Sequence, residues 1–142
     1  MMEAKGANIL IIEDDDVDAM SIERSFRACQ SGSTITRARD GVEALDLLDA
    51  RSVEPPYIIV ADIQMPRMTG VEFIEKVRSS ERHKDSVIFV LTTSKAGRDV
   101  NACYQNHVAG YFSKDEAGRN FKDVVNIIND YTKLAVLPGS VA

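Results

Sequence analysis

The 142-residue chain is 44% hydrophobic and 27% charged, the proportions of an ordinary globular protein, and its length predicts one domain over residues 1–142 that buries about two-thirds of its unfolded surface. The net charge of −5 and the lack of any Lys/Arg cluster of five residues argue against nucleic acid as a direct partner. No apolar run approaches the roughly 20 residues of a membrane span and the N-terminus has no signal-peptide core, so neither membrane residence nor export is expected.

Residues 1–7 are a short polar lead. Asn8 to Ile12 is an apolar run bounded by charge, the pattern of a strand buried on both faces, and it runs into Glu13-Asp14-Asp15-Asp16. Val17 to Gln30 carries Val17, Met20, Ile22, Phe26 and Cys29 at near-helical spacing, with Gly32 as its stop. Thr34–Ala38 is a short strand. Gly41–Ala50 places Val42, Ala44, Leu45, Leu47 and Leu48 on a helix that ends before Pro55-Pro56.

Tyr57-Ile58-Ile59-Val60-Ala61 is the most apolar segment of the first half and leads directly into Asp62. A helix over Gly70–Ser80 follows, with Val71, Phe73, Ile74 and Val77 inward. Val87–Leu91 is another fully apolar strand and ends in Thr92-Thr93-Ser94. A helix over Arg98–His107, a strand over Gly110–Phe112 ending in Ser113-Lys114, and a last helix from Phe121 to about Lys133 complete the pattern. A tail, 134–142, carries Val136, Leu137 and Pro138. Five strands alternating with five helices predict βαβ units and a doubly wound parallel sheet covered on both faces. Cys29 and Cys103 lack metal-ligand spacing and read as free thiols in a reducing cytoplasm. His83 and His107 read as structural or surface residues.

Three strands end in chemistry: the first in Glu13 and Asp14, the third in Asp62, the fourth in Thr92. The fifth adds Lys114. Parallel strands point the same way, so these groups gather at one edge of the sheet, where open α/β sheets bind ligands. Alone, Asp62 reads equally as a turn residue or a helix cap. Three clustered acids must repel, raise a pKa or bind a cation, and hard oxygen donors without thiolate or imidazole suit Mg²⁺ or a similar ion. A hydroxyl and an ammonium beside them suit a phosphoryl group. Together they suggest Asp62 as a carboxylate nucleophile, with the metal and Lys114 neutralising phosphoryl oxygens. The competing reading is a solvated acidic rim with a lysine counter-ion.

Over about residues 8–133 the sequence resembles the receiver domains of two-component response regulators. The resemblance rests on Glu13-Asp14 after the first strand, on Asp62 with Met65-Pro66-x-Met68-x-Gly70, on Thr92, and on Tyr111-x-x-Lys114. It implies the flavodoxin-like receiver fold with strand order 2-1-3-4-5. It also implies that Asp62 is the phospho-acceptor, served by the phosphohistidine of a sensor histidine kinase. Glu13, Asp14, Asp62 and the backbone carbonyl of Gln64 would hold Mg²⁺, or another divalent ion such as Mn²⁺. Thr92 and Tyr111 would be switch residues, and Lys114 would contact the acceptor or its phosphate. Such a domain promotes its own aspartyl phosphorylation and dephosphorylation and is not a conventional enzyme. With no room for an effector domain, output is expected through protein–protein contact.

One position departs from the family pattern. Receivers usually carry proline after the lysine, often with a cis bond. Asp115 stands there, so a trans peptide is expected, together with an added negative charge near the phosphate. Ala117 is a poor helix cap, which predicts a shifted or frayed start to the last helix.

That helix carries two apolar stripes. Phe121, Val125, Ile128 and Thr132 would face the sheet, while Val124, Ile127, Tyr131 and Leu134 would be exposed and form a homodimer interface with the tail. An apolar tail ending in Leu-Pro also resembles the stand-alone regulators of phytochrome-type kinases, which makes a bacteriophytochrome a candidate partner. Three other readings compete. A pseudo-receiver would use the fold without phosphorylation. An aspartyl phosphatase would want an acid where Gln64 stands. A flavin-binding protein would want a hydroxyl-rich phosphate loop where the four acids stand.

Overall fold

The computed structural model describes residues 6–29 and 33–140; the expected helix end at Gln30 and its stop at Gly32 lie outside them. The strands are β1 (Asn8–Ile12), β2 (Ile35–Ala38), β3 (Tyr57–Ala61), β4 (Val87–Thr92) and β5 (Gly110–Ser113). The helices are α1 (Asp16–Cys29), α2 (Gly41–Asp49), α3 (Gly70–Ser79), α4 (Gly97–Gln105) and α5 (Lys122–Leu134). All strand pairs are parallel, in the order 2-1-3-4-5. The chain is therefore the doubly wound α/β fold that the alternation predicts.

Side-chain alternation along the central strands divides the interior into two layers. Leu10, Ile12, Ile59, Ile88 and Val90 meet Leu48, Phe73, Ile74 and Val77 beneath α2 and α3. Ile9, Ile11, Ile58, Val60 and Leu91 meet Ile22, Phe26, Val125 and Ile128 beneath α1 and α5. Because both faces are covered, β1, β3 and β4 read as continuous apolar runs.

Register brings the strand ends level. Ile12 pairs with Ala38 on one side and Ala61 on the other. Asp62 N–H then donates to the Ile12 carbonyl at 3.0 Å, and Glu13 N–H to that of Ala38 at 3.0 Å. Thr92 pairs with Ser113, so Lys114 leaves the sheet one residue beyond the end of β4. Gly70 locks α3 onto this edge: its N–H donates to the Ile63 carbonyl at 3.0 Å, and a Cβ there would lie 2.4 Å from Ile63 Cα.

The last helix starts late. Two 3₁₀ turns, Lys114–Glu116 and Arg119–Phe121, precede it, and Asn120 and Phe121 have left-handed φ of 56° and 61°. Ala117 offers no side-chain cap, but its buried carbonyl accepts from Asp123 N–H at 3.0 Å and Val124 N–H at 3.4 Å. The shifted start is thus closed by backbone.

The second apolar stripe needs correction at Val124, which is 3% exposed and part of the core. Wedged between the sheet and α1, α5 buries an arc of Val124, Val125, Ile128, Asn129 and Thr132, wider than one stripe. Ile127 and Leu134 do point outward, at 53% and 87% exposure. Tyr131 stands edge-on to Phe89, with ring centroids 5.2 Å apart, and is partly covered. The tail divides: Leu137 folds back into the core while Val136 is exposed.

Cys103 is buried, which pushes its thiol up to about 11, and Cys29 is half-buried. His83 is buried with Nε2 2.8 Å from Asp49 Oδ1, and His107 is exposed. No helix among the described residues is long and apolar enough to cross a membrane.

Candidate functional site

The four consecutive acids after β1 do different work. Asp15 caps α1, its Oδ1 accepting from Asp18 N–H at 2.9 Å. Asp16 turns outward to the guanidiniums of Arg37 (2.8 Å) and Arg39 (3.1 Å), which hold its carboxyl below the usual range. Glu13 and Asp14 remain. Glu13 is buried under the sheet edge and Asp14 is exposed at its mouth. With Asp62 they place one carboxylate oxygen each within 4.8 Å of one another.

Asp62 is 5% exposed, and both of its oxygens are engaged. Oδ1 accepts from the Thr92 hydroxyl at 2.7 Å and from Gln64 N–H at 3.0 Å, and Oδ2 accepts from Lys114 Nζ at 3.0 Å. The Gln64 side chain accepts from the Thr93 hydroxyl at 2.6 Å. Thr92 is fully buried. Tyr111 is half-buried, and its hydroxyl donates to the Ser94 carbonyl at 2.8 Å, so it is tied to the loop that begins at Thr92.

Lys114 is the hub. Its ammonium lies 2.6 Å from Glu13 Oε1, 2.8 Å from Asp18 Oδ2 and 3.0 Å from Asp62 Oδ2. These three contacts match its three N–H donors. Burial works against the ammonium, but hydrogen bonds to Asp18 and Glu13 and the Asp62 charge outweigh it and raise it above an ordinary lysine. Burial likewise pushes the Glu13 carboxyl up, to about 7, against the pull of Lys114.

Three carboxylates thus share one ammonium, with Asp14 a fourth acid beside them, leaving the site short of positive charge. The donors are all hard oxygens, which fits Mg²⁺ or Mn²⁺ and not a thiophilic ion. A groove of about 780 Å³ opens beside Asp14, bordered also by Gln64, Pro66, Thr69 and Arg98.

The structure places Glu13, Asp14, Asp62, Gln64, Thr92 and Lys114 together, and Tyr111 is linked to them through the Ser94 carbonyl. The Lys114–Asp115 peptide is trans; among the described residues the cis bond is Pro55–Pro56. Asp115 N–H donates to the Ser113 hydroxyl at 3.3 Å, a bond that proline could not make. Its carboxylate reaches toward Lys95 at 4.0 Å, and Glu116 lies 3.4 Å from the same ammonium. The charge of Asp115 is therefore directed to the loop after β4.

Two contributors were not legible. Asp18 bonds Lys114 across 96 positions, and no periodicity signals such a pair. Arg67, at a left-handed φ of 64°, grips the α2 cap Asp40 with two hydrogen bonds of 2.7 and 3.0 Å. That grip ties the loop after Asp62 to the start of α2.

The response regulator receiver domain model matches residues 9–126. The probable methanogenesis regulatory protein FilR2 of Methanothrix harundinacea is 34% identical, over 87% of this chain and 81% of its own. The phosphorylated cyanobacterial phytochrome response regulator RcpA superposes with a TM-score of 0.81 at 25% identity, covering 95% of this chain and 99% of that one. The Mn²⁺-bound form of response regulator Rcp1 superposes with a TM-score of 0.78 at 26% identity, covering 93% and 99%.

Proposed function

This chain belongs to the response regulator receiver domain family of two-component signalling, and from that premise we propose that Asp62 accepts a phosphoryl group from the phosphohistidine of a sensor histidine kinase. The observation that carries the proposal is the environment of Asp62. A buried carboxylate at a strand end has an ammonium at 3.0 Å on one oxygen and a hydroxyl at 2.7 Å on the other, beside two further acids.

In the proposed step one Asp62 oxygen attacks phosphorus. The P–N bond breaks, the imidazole nitrogen keeps the electron pair, and an acyl phosphate remains. Glu13, Asp14, Asp62 and the Gln64 backbone carbonyl would hold a divalent cation, Mg²⁺ or Mn²⁺, which when bound supplies positive charge against the phosphoryl oxygens. Lys114 donates to a phosphoryl oxygen. The Thr92 hydroxyl gives up its bond to Asp62 Oδ1 for a second phosphoryl oxygen. The Ser94 carbonyl follows Thr92 through the shared loop, and Tyr111 follows Ser94.

The output we propose is protein–protein contact by a cytoplasmic regulator. Several features support a phytochrome-type kinase and a homodimer: the similarity to a phytochrome response regulator, and the outward Ile127 and Leu134 with partly covered Tyr131 and exposed Val136. Sedimentation at micromolar concentration tests the dimer, which Ile127→Lys with Leu134→Lys is expected to dissociate. Acetyl phosphate with Mg²⁺, followed by intact mass measurement, tests the acceptor. One phosphate adduct is expected on the wild type and none on Asp62→Asn; an adduct on Asp62→Asn would defeat the assignment.

A further inference from the structure

The Lys114 ammonium has three partners, and they face different fates if the acceptor reading, on which this inference rests, holds. Asp62 becomes an acyl phosphate, and the charge on its bonded oxygen is lost. Glu13 must share its lone pairs with a cation. Asp18 neither accepts phosphate nor belongs to the converging acids, Glu13, Asp14 and Asp62. It is the one partner of Lys114 whose chemistry stays constant through the reaction.

Asp18 is also well built for an anchor. It sits in the first turn of α1, where the helix dipole favours an ionised carboxylate. Its backbone is fixed, because its N–H donates to the capping carboxylate of Asp15 at 2.9 Å. The next residue, Ala19, is buried in the core and bonds the Asp15 carbonyl at 2.9 Å. The side chain is about one-third exposed while the lysine side chain it holds is nearly covered, at 32% against 8%.

The need for an anchor lies in the loop. No proline follows Lys114, and the chain enters a 3₁₀ turn held by the Ser113 hydroxyl and by Lys95. Those contacts fix the loop backbone and its outer face. Neither reaches the Lys114 side chain, a flexible four-carbon stem that must keep its charge within hydrogen-bond range of Asp62.

We propose that Asp18 is a positioning residue for phosphoryl acceptance. It holds the Lys114 ammonium against α1 within reach of Asp62, so that one N–H can pass from Asp62 Oδ2 to a phosphoryl oxygen while another stays bonded to Asp18. A looser lysine spends less time in the productive geometry, and charge stabilisation of the transition state weakens with it.

The test is the rate of phosphorylation by acetyl phosphate, with Mg²⁺ affinity and thermal midpoint measured on the same proteins. Asp18→Asn keeps the shape and removes the charge. It is expected to slow phosphorylation about tenfold, the effect of weakening one charge-assisted hydrogen bond, with Mg²⁺ affinity little changed. Asp18→Glu restores the charge and is expected to recover part of the rate. In a Lys114→Ala background Asp18→Asn is expected to have no further effect, because the two act as a unit. A purely structural Asp18 would instead lower the rate by the same factor in both backgrounds. A wild type that takes phosphate no faster than Asp18→Asn would overturn the positioning role alone. A wild type that takes no phosphate would overturn the acceptor reading and this role together.

Discussion

The proposed acceptor edge of the sheet and the outer face of α5 are held by different physics. At the acceptor edge Glu13, Asp18, Asp62 and Lys114 come from four separate elements or loops and meet at 2.6 to 3.0 Å. On α5 the contacts are apolar and undirected, and Val124 and Ile127 differ only in which neighbour covers them. The acceptor edge is defined by the identity of a few side chains, and its chemistry is readable residue by residue. The helix is defined by an arc of burial whose width depends on two neighbours, the sheet and α1.

The sharpest way to break that comparison is within α5. Val124→Asp buries an unpaired carboxylate in the core and is expected to cost about 3 kcal/mol or more of stability. Ile127→Asp faces water in the monomer and is expected to stay within about 0.5 kcal/mol. Urea unfolding of the two variants, at concentrations where both are monomeric, measures the difference. Equal losses would mean that the arc has been misplaced.

At the acceptor edge, Lys114→Met removes the shared cation and leaves Glu13 and Asp62 facing each other in a buried site. It is expected to destabilise the metal-free protein by about 3 kcal/mol. Because the surplus of negative charge grows, Mg²⁺ is expected to raise the unfolding midpoint more in this variant than in the wild type. No Mg²⁺ response in either protein would separate the acids from any role in cation binding.

A smaller effect is expected from Asp14→Ala. It removes an exposed acid of the proposed cation site while leaving the lysine network whole, so Mg²⁺ affinity should fall about tenfold with little change in stability. Titration calorimetry distinguishes the two quantities.

The smallest expected effect is acid-dependent. Arg67 holds the Asp40 carboxyl below its ordinary range, so this pair stabilises the fold above the unfolded value of about 4 and stops doing so as pH falls through the depressed folded value. The thermal midpoint of Arg67→Met is therefore expected to lie below that of the wild type near neutral pH, with the gap closing in acid. A gap independent of pH would show that the loop is held by packing.

Much of this was legible because buried strands and strand-end residues leave strong local marks. The runs Ile9–Ile12, Ile58–Ala61 and Ile88–Leu91 announce a sheet covered on both sides, and a parallel sheet forces Glu13, Asp62, Thr92 and Lys114 to one edge. What the pattern hid was long-range or degenerate. Asp18 pairs with a residue near the far end of the chain, and its apolar neighbours Val17 and Met20 hint at nothing, being exposed. Val124 sits one position from Val125, too close for a single-stripe reading to include both, although a helix wedged between two neighbours buries both. The 3₁₀ turns after Lys114 depend on an N–H of Asp115 and a hydroxyl of Ser113, a local bond with no hydrophobic period.

The most direct test of the central claim locates the phosphate on the chain. An acyl phosphate is reduced by borohydride to the corresponding alcohol, so a phosphorylated aspartate becomes homoserine at its own position. After treatment with acetyl phosphate and Mg²⁺, peptide mapping is expected to find homoserine at position 62 and nowhere else. Homoserine at Asp14 or Asp15, or its formation undiminished in Asp62→Asn, would contradict the account.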